Sequence, residues 1–438
     1  MRIKIFFLMM GLSWFLKASP QDTLTLFQAV QIGLVNNYSI IIQKNDAQIA
    51  TNNNTAGNAG FLPEVTLNAT QNYTITTTHQ DMFNGTSKDV TAAHGRSFNA
   101  GIQLTWTLFD GFSMFTNKST LDVLEQMGET EARLTVENTV SAIIRNYYGI
   151  IQQQKMVQVL RDAVGLSLQR KQIAEAKLAL GSGSQLMLLQ STVDLNSDST
   201  NLLNEMASLQ GYKADLNRLL GRDPETAYAI VDTIVLDNTL SYGSLLEKAR
   251  SQNAELTIAE HNKELSLLAL KSARSQRYPS LAFQAGYSYN RLNSQTGFLE
   301  FNRSIGPSYS LTVSYPIFNG MNVSRDIHNA KIDLSNSGYQ FQDTESDIHT
   351  NLFKLFTGYT SSVQVIRLQL VNQDVARENV DVAFEKYRLG TINDIDLRET
   401  QKKFIDAQYQ LLLSQFQAKE AEIELLRISG ELVSLFRQ

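Results

Sequence analysis

The sequence predicts a mixed α-helical and membrane-β fold in which one structural unit occurs twice. Three observations support this fold class. Residues recur at a constant spacing, four segments alternate apolar and uncharged polar side chains, and two helical stretches run for nearly seventy residues without proline. Helices in ordinary globular domains average about a dozen residues, so stretches of this length indicate coiled-coil packing.

The composition excludes several classes of protein. The 438 residues include no cysteine, which removes disulfide frameworks, thiolate metal sites, cysteine nucleophiles and lipid attachment through a cysteine. The chain carries 38 Lys and Arg against 43 Asp and Glu, for a formal net charge of −5. A nucleic-acid partner is therefore disfavoured, because no excess of basic residues is available to neutralise phosphates.

Residues 1–20 have the layout of a secretory signal peptide. The basic residues Arg2 and Lys4 precede an apolar run from Ile5 to Leu16, and a stretch of small residues follows. The run is too short to span a bilayer. We expect cleavage near residue 20, to within about two residues. The alternative is a buried N-terminal helix.

The rest of the chain is an internal duplication. Phe109-Asp110-Gly111 matches Phe318-Asn319-Gly320, and the same spacing of 209 pairs glycines, lysines and leucines over more than a hundred residues. Helical periodicity alone does not produce matched glycine positions. The predicted domains are therefore a first repeat, 21–228, and a second repeat, 229–438.

A strand pair is predicted in each repeat, after a helical pattern that stops before Pro63 or Pro279. The predicted strands are about 63–76, 97–109, 279–291 and 306–318. Within the alternating stretch of each strand, apolar side chains alternate mostly with Ser, Thr, Asn, Gln or Gly, and no charged residue interrupts the alternation.

The length and aromatic content of these strands favour a membrane location. About ten residues suffice for a tilted strand to cross a bilayer. The aromatic residues suited to its interfaces are Tyr73, Trp106, Tyr287, Tyr289, Tyr309 and Tyr315. The alternative is a soluble antiparallel sheet packed on a core, whose solvated face would normally carry charges.

The linkers inside the strand pairs are predicted to be external loops. They cover about 80–96 and 291–304. Unlike the strands they contain charged residues, namely Asp81, Lys88, Asp89, Arg291, Glu300 and Arg303.

The number of strands predicts an oligomer. In hydrocarbon every backbone N–H and C=O must be paired, so a transmembrane sheet has to close. Four strands cannot close, since the smallest barrels have about eight. Two copies would give eight strands and a filled interior, whereas three would give twelve strands and an open lumen. The small polar faces favour a homotrimer with a shared twelve-stranded barrel.

Long helical hairpins are predicted after the strands, at about 112–221 and 321–436. Nearly seventy helical residues correspond to a length of about 100 Å. Gly181 and Gly390 are predicted to end the first helix of each hairpin. Steps of four and three residues predict a coiled-coil seam in the last helix, through Ile405, Tyr409, Leu412, Phe416, Ile423 and Leu426.

The order and doubling of these elements resemble the TolC-type outer-membrane efflux and secretion channels. The local signatures are Phe-Leu-Pro at 61–63, Leu-Phe-Asp-Gly at 108–111 with its echo at 317–320, and Lys-Tyr-Arg-Leu-Gly-Thr at 386–391. The resemblance covers essentially the whole chain after the signal peptide. It implies three chains that share a barrel in the outer membrane, continuous with an α-helical tunnel in the periplasm. Some relatives are lipid-anchored through an N-terminal cysteine, which this sequence lacks, so no anchoring through a cysteine is expected.

The resemblance also implies an adaptor-docking surface and a gate at the hairpin tips. The docking residues would be Gly181, Ser182, Leu186, Gly390, Thr391 and Ile392. Asp396 and Glu399 match the family's acidic selectivity ring, and Tyr387 matches a position that helps to hold the closed state. Two departures suggest that the closing contacts differ here. Ile392 stands where some relatives have an arginine, and Met187 stands where the first tip often has an aspartate.

The spacing of the acidic residues alone leaves two interpretations open, a charged ring and helix capping. Asp396 and Glu399 are three apart and so project from one helical face. In a trimer they would place six carboxylates in one constriction, attract cations and raise some of their own pKa values. The alternative is helix capping, with Asn393 as the N-cap and Asp394 and Asp396 favoured by the helix N-terminus.

The predicted function is a passive exit duct of a tripartite efflux or type I secretion system. The duct would receive substrates from an inner-membrane pump through a periplasmic adaptor, with outer-membrane lipid around the barrel. No enzyme, cofactor or metal site is expected, because the five histidines form no i,i+4 pair and Gly-Ser-Gly-Ser at 181–184 lacks the residues of a phosphate loop. The alternative is a soluble periplasmic coiled-coil adaptor, whose strands should carry charged outer faces.

Overall fold

The computed structural model describes residues 23–83, 85–237, 239–296 and 299–436, so the predicted signal peptide lies outside the described residues. The elements of the first half are α1 (Leu26–Asn36), α2 (Tyr38–Asn53), β1 (Glu64–Asp81), β2 (Ser87–Asp110), α3 (Ser113–Ala179) and α4 (Gln185–Leu219). Those of the second half are α5 (Tyr242–Gln252), α6 (Ala254–Ser275), β3 (Ser280–Ser294), β4 (Phe301–Ser314), α7 (Asn322–Arg388) and α8 (Asp394–Ile428), followed by a 3-10 helix (Leu432–Phe436).

The duplication is visible in the lengths of the long helices. Helices α3 and α7 each contain 67 residues, and α4 and α8 each contain 35. A helix of 67 residues is about 100 Å long. No helix among the described residues combines the length and the apolar character that crossing a bilayer requires.

The described residues form two compact units, each built from both halves of the chain. One unit is helical and contains 23–40, 136–246 and 352–436. The other contains 41–135 and 247–351, and therefore the whole sheet. Helices α3 and α7 each contribute residues to both units.

The core of the helical unit forms where α1 packs on α3 and α4. Gly33 of α1 leaves no room for a side chain, because an added Cβ would lie 2.3 Å from Cδ1 of Ile143. The buried apolar residues include Ala29, Val30, Val140, Ile143, Ile144, Tyr147, Ile150, Ile151, Leu216 and Leu220. Close approach of this kind lets a short helix bury its apolar face on a long one.

The seam predicted for the last helix is partly wrong. In α8 the buried line runs through Ala407, Leu411, Ser414, Ala418, Glu422 and Leu425. Leu412 and Ile423 of the predicted seam are buried, but Tyr409 is 40% exposed. Small side chains allow the helices to approach closely, so the contact line follows Ala and Ser as well as the bulky residues on which the prediction relied.

The four strands form one antiparallel sheet in the order β1-β2-β3-β4. Directly paired residues lie on the same face, so rows of apolar residues across the sheet alternate with rows of polar residues. One row runs through Leu67, Ile102 and Tyr287, and the adjacent row through Thr66, Gln103 and Gly286. The sheet therefore has an apolar face and a polar face, and strands β1 and β4 are its edges.

The predicted external loops are largely strand. Pairing of β1 with β2 continues through a bulge near Thr76 as far as Asp81 and Ser87, and pairing of β3 with β4 continues to Asn293 and Phe301. Charged residues in the sequence favour a loop prediction, but an exposed charged side chain leaves the hydrogen bonds between strands intact. In the opposite direction, β4 ends at Ser314, since Pro316 has no N–H to donate.

Candidate gate at the helix-hairpin tips

The two hairpin tips have the same backbone design. Gly181 and Gly390 adopt positive φ angles of +73° and +77°, a conformation that glycine tolerates at the end of a helix. The carbonyl of Lys177 accepts a hydrogen bond from Ser182 N at 2.9 Å, and the carbonyl of Lys386 accepts one from Thr391 N at 2.9 Å. The hydroxyls of Ser182 and Thr391 bond to the same carbonyls. Each chain reversal is therefore short and closed by its own hydrogen bonds.

The second helix of each hairpin begins at a capped N-terminus. The Ser184 side chain accepts from Met187 N at 3.2 Å, and the Asn393 side chain accepts from Asp396 N at 2.8 Å. Asn393 is thus the N-cap of α8, as the capping alternative requires.

The residues predicted to dock an adaptor lie on and beside these turns. Gly181, Ser182, Gly390 and Thr391 are exposed, and Leu186 is 63% exposed. Ile392 is only partly exposed, because it packs against a small buried cluster of Ala383, Tyr387 and Leu397. The exposed surface of each tip therefore consists mainly of small and apolar residues of the turn.

A buried group of charges joins α3 to the start of α8. The Arg170 side chain is only 1% exposed. Its Nε donates to Asp394 Oδ1 at 2.8 Å and its Nη2 donates to Asp394 Oδ2 at 3.1 Å, so the contact is bidentate. Nη2 also donates to Asp194 on α4, while Nη1 has no hydrogen-bond partner in the part of the chain that the structure describes. Asp394 therefore does more than favour a helix N-terminus.

A second arginine extends this group. Arg398, one turn further along α8, donates from Nη1 and Nη2 to the two carboxylate oxygens of Asp198, both at 2.8 Å. Its Nε lies 3.5 Å from Asp194 Oδ1, so Asp194 stands between the two arginines. Burial works to lower the pKa of Arg398, but the hydrogen bond and charge of Asp198 raise it overall. We call Arg170, Asp194, Asp198, Asp394 and Arg398 the tip ion cluster.

Tyr387 is fully buried beside this cluster. Lys177 Nζ lies 4.1 Å from the centre of its ring and donates to its carbonyl oxygen at 2.8 Å. The Tyr387 hydroxyl donates to the sulfur of Met187 at 3.6 Å, which is a weak acceptor, and it also faces the carboxylate of Asp394. Burial, followed by the charge of Asp394, raises the pKa of Tyr387, whereas Arg170 works to lower it. The tyrosine is therefore neutral and serves as packing for the turn.

The two residues predicted for an acidic ring are not part of the tip ion cluster. Asp396 and Glu399 are both exposed. Glu399 Oε1 lies 2.7 Å from Lys403 Nζ one turn later. The hydrogen bond and charge of Lys403 lower the pKa of Glu399. In one chain, then, the carboxylate of Glu399 is held ionised by a neighbouring ammonium group.

Sequence reasoning missed Arg170, Asp194, Asp198 and Arg398. A signal was available, because Asp194 with Asp198 and Asp394 with Arg398 are i,i+4 pairs that recur on one helical face. A cavity of about 530 Å³ lies beside the cluster and is lined by Arg170, Asp194, Asp394, Arg398, Glu399 and Lys402 among others. No group of three or more His, Asp or Glu in the described part of the chain is arranged to hold a metal ion.

The predicted interface aromatics lie on or beside the apolar face of the sheet. Trp106 Nε1 donates to the carbonyl oxygen of Phe61 at 2.9 Å, which fixes its ring near the start of β1. At the other end, the hydroxyl of Tyr73 lies 2.6 Å from His94 Nδ1. The remaining residues of the set are Tyr287, Tyr289 and Tyr309 on the strands and Tyr315 one residue beyond β4.

The sequence matches the profile of one protein family over both halves of the chain. The profile of the outer membrane efflux protein family matches residues 31–222 and again 245–431. No sequence among curated proteins matches the chain.

Solved structures share the fold at low sequence identity. The CmeC outer membrane channel of Campylobacter jejuni is 14% identical, with a TM-score of 0.74 over 93% of this chain and 86% of that one. The outer membrane protein VceC of Vibrio cholerae is 16% identical, with a TM-score of 0.73 over 92% of this chain and 96% of that one. The open state of the MtrE outer membrane channel of Neisseria gonorrhoeae is 12% identical, with a TM-score of 0.69 over 93% and 89%.

Proposed function

The chain belongs to the outer membrane efflux protein family, and from this premise we propose that three copies form the exit duct of a tripartite efflux or type I secretion system. The duct is passive and spans the outer membrane through a shared twelve-stranded barrel. Energy comes from an inner-membrane pump, and a periplasmic adaptor connects the pump to the hairpin tips.

The observation that carries this proposal is the open four-stranded sheet. Both of its edge strands, β1 and β4, lack a partner on their outer side within the described residues. Its apolar face is exposed along β1 and β4, with Leu67 at 75% and Tyr309 at 73%. An apolar sheet with two free edges is stable in a bilayer only when other copies pair with those edges.

The polar face of the sheet supports the role of a lumen wall. It carries no charge in the middle of the strands, and a shallow cavity of about 330 Å³ is lined there by Asn68, Asn99, Gln103, Gln284, Asn290 and Ser308 among others. Amide and hydroxyl groups keep water against the wall without selecting substrates by charge.

Charge selection would instead occur at the hairpin tips. Asp396 and Glu399 are exposed and project from one face of α8, so three chains bring six carboxylates together. The tip ion cluster would hold α8 against α3 and α4 while the duct is closed. Movement of α8 then requires two bidentate arginine contacts to be broken, Arg170 to Asp394 and Arg398 to Asp198.

Single-channel recording in planar bilayers tests the gate. Removing both carboxylates in Asp396→Ala/Glu399→Ala should reduce the preference for cations over anions severalfold, because the negative charge of the constriction is lost. Asp406→Ala, an exposed acidic residue on the same helix, is the matched control and should leave ion preference unchanged. Unaltered cation preference in the double variant would end the gate proposal.

A cheaper experiment separates the duct from the alternative of a soluble periplasmic adaptor. A barrel protein should sediment with the outer membrane, require detergent for extraction and migrate differently in gels before and after heating. Recovery in the soluble periplasmic fraction without detergent would instead support the adaptor.

A further inference from the structure

Three arginines lie on the apolar face of the sheet near its hairpin end. Arg96 is directly paired with Tyr73, and Arg291 is directly paired with both Phe98 and Arg303, so all three share the face of these aromatic residues. All three side chains are exposed. None of them has a carboxylate partner within the described residues. We call Arg96, Arg291 and Arg303 the arginine cluster.

The cluster concentrates positive charge that the sheet itself does not neutralise. Arg291 and Arg303 are direct cross-strand neighbours, with Cβ atoms about 5 Å apart, and like charges in such positions repel. Arg96 is opposite Asn293, two residues from Arg291, which is a diagonal separation of about 7–8 Å. Three guanidinium groups at this spacing can converge on one phosphate, because each offers a planar fork of donors.

The arginine cluster lies about one membrane thickness along the strands from the other end of the apolar face. From Leu281 to Arg291 on β3 the apolar face is free of charge. Ten residues cover about 34 Å along a strand and about 24 Å across a bilayer at a 45° tilt, close to the apolar band of about 25 Å found on outer-membrane strands. The arginines are therefore at the depth of lipid headgroups.

Aromatic rings support two of the arginines at this depth. The guanidinium carbon of Arg96 lies 6.0 Å from the centre of the Tyr73 ring, and that of Arg291 lies 5.6 Å from the centre of the Phe301 ring. Such contacts let the aliphatic stem lie on the apolar face while the charged end points toward headgroups.

We propose that the arginine cluster binds the phosphate groups of an anionic lipid in the outer leaflet, on the lipid-facing side of the barrel. This rests on the proposed function, since it requires the apolar face to be embedded in the membrane. Continuity with the apolar face favours a lipid over a free ion, because the acyl chains of the same molecule would cover exposed Ile305 and Tyr309.

The acidic residues at this end of the sheet do not neutralise the positive charge of the arginine cluster. Glu300 lines a cavity of about 270 Å³ together with His94 and Arg96, and is one carboxylate against three arginines. Asp81 and Asp89 lie further along the first hairpin, where both contact His79.

Lipid retention tests the proposal. The trimer is reconstituted in nanodiscs of phosphatidylcholine mixed with diphosphoryl lipid A, re-extracted, and the lipid A bound per chain is measured by mass spectrometry. The variant R96Q/R291Q/R303Q should bind lipid A roughly a hundredfold more weakly and retain correspondingly less of it, since each of the three basic residues near a membrane surface contributes about a factor of five in binding. The control K354Q/R367Q/R377Q removes three exposed basic residues of α7 and should retain as much as the unaltered protein.

Equal retention by the two triple variants would overturn the proposal. So would complete displacement of lipid A by excess inorganic phosphate, because the cluster would then be an ion site. The single variant R303Q removes one member of the repelling pair, and it should lower retention while leaving the trimer intact on unheated gels. Failure of the unaltered protein to insert into nanodiscs would contradict the proposed function, whereas insertion without a preference for lipid A contradicts this inference alone.

Discussion

At the scale of single residues, the hairpin tips depend on charges that are compensated inside the protein. Arg170 is almost fully buried and is matched by Asp394 and Asp194 from two other helices. Removing one partner of a buried ion pair leaves a charge without compensation, which typically costs about 3–5 kcal/mol. Arg170 therefore holds the start of α8 in place although it is far from it in sequence.

Replacing Arg170 should loosen the start of α8. In Arg170→Met the side-chain volume is nearly kept, but Asp394 loses its bidentate partner and Asp194 keeps only Arg398 as a cationic neighbour. We expect hydrogen-exchange protection of amides 394–400 to fall by a factor of about a hundred or more. Arg161→Met changes an exposed arginine of the same helix and is the control. Undiminished protection in Arg170→Met would show that the ion cluster does not hold α8.

Buried tyrosines make the helical unit sensitive to alkali. Burial, followed by the charges of Asp232 and Glu422, raises the pKa of Tyr148 to about 12, from an ordinary value of 10.0. Because the folded pKa lies above the unfolded one, the folded state retains the proton longer. The stability contribution of Tyr148 is therefore complete below pH 10 and is lost as pH rises toward 12.

Ultraviolet titration tests this assignment. The difference in phenolate absorbance between the unaltered protein and Tyr148→Phe should rise near pH 12, and the variant should lose less stability between pH 10 and 12. A Tyr148 difference that rises near pH 10 would contradict the burial argument.

At the scale of elements, the turn from β2 into α3 depends on one glycine. Gly111 has φ +72°, and an added Cβ would lie 2.3 Å from the carbonyl oxygen of Ser275. Its counterpart in the second repeat, Gly320, has φ +69° but no atom nearer than 3.8 Å to an added Cβ. The two positions share the backbone requirement and differ in available space.

Gly111 and Gly320 allow the cost of a left-handed backbone conformation to be separated from the cost of a steric clash. Gly320→Ala should cost about 1–2 kcal/mol, the penalty of a left-handed conformation for a residue with a Cβ. Gly111→Ala should cost several kcal/mol more, because backbone atoms must also move. Thermal unfolding of the detergent-solubilised protein should show a much larger loss for Gly111→Ala. Equal losses would mean that α6 moves aside easily.

Much of the element structure could be predicted because it follows from local periodicity. Alternation of period two identified the four strands, and matched glycines identified the duplicated helical hairpins. The ends of strands were less predictable, since β1 and β2 continue through charged residues as far as Asp81 and Ser87. Pairing there depends on backbone hydrogen bonds across the hairpin, which side-chain charge does not reveal.

The candidate site was harder to predict than the fold. The turn residues and the N-cap Asn393 follow local rules, and both could be read from sequence. The tip ion cluster joins Arg170 to Asp394, which are 224 residues apart. The i,i+4 pairs on α4 and α8 mark these side chains as candidates, but only the packing of α3, α4 and α8 shows which of them are partners.

At the scale of the whole molecule, a shared barrel requires each chain to supply one third of a closed wall. The sheet has four strands, two free edges, an exposed apolar face and an uncharged polar face. In the proposed trimer, pairing of β4 with β1 of the next copy would satisfy both edges at once, and three copies would close twelve strands around a lumen.

Native mass spectrometry of the detergent-extracted protein counts the chains directly. We expect a single dominant species of three chains, which separates into monomers only after heating or denaturation. A dominant monomer or dimer under the same gentle extraction would contradict the shared barrel, and with it the duct.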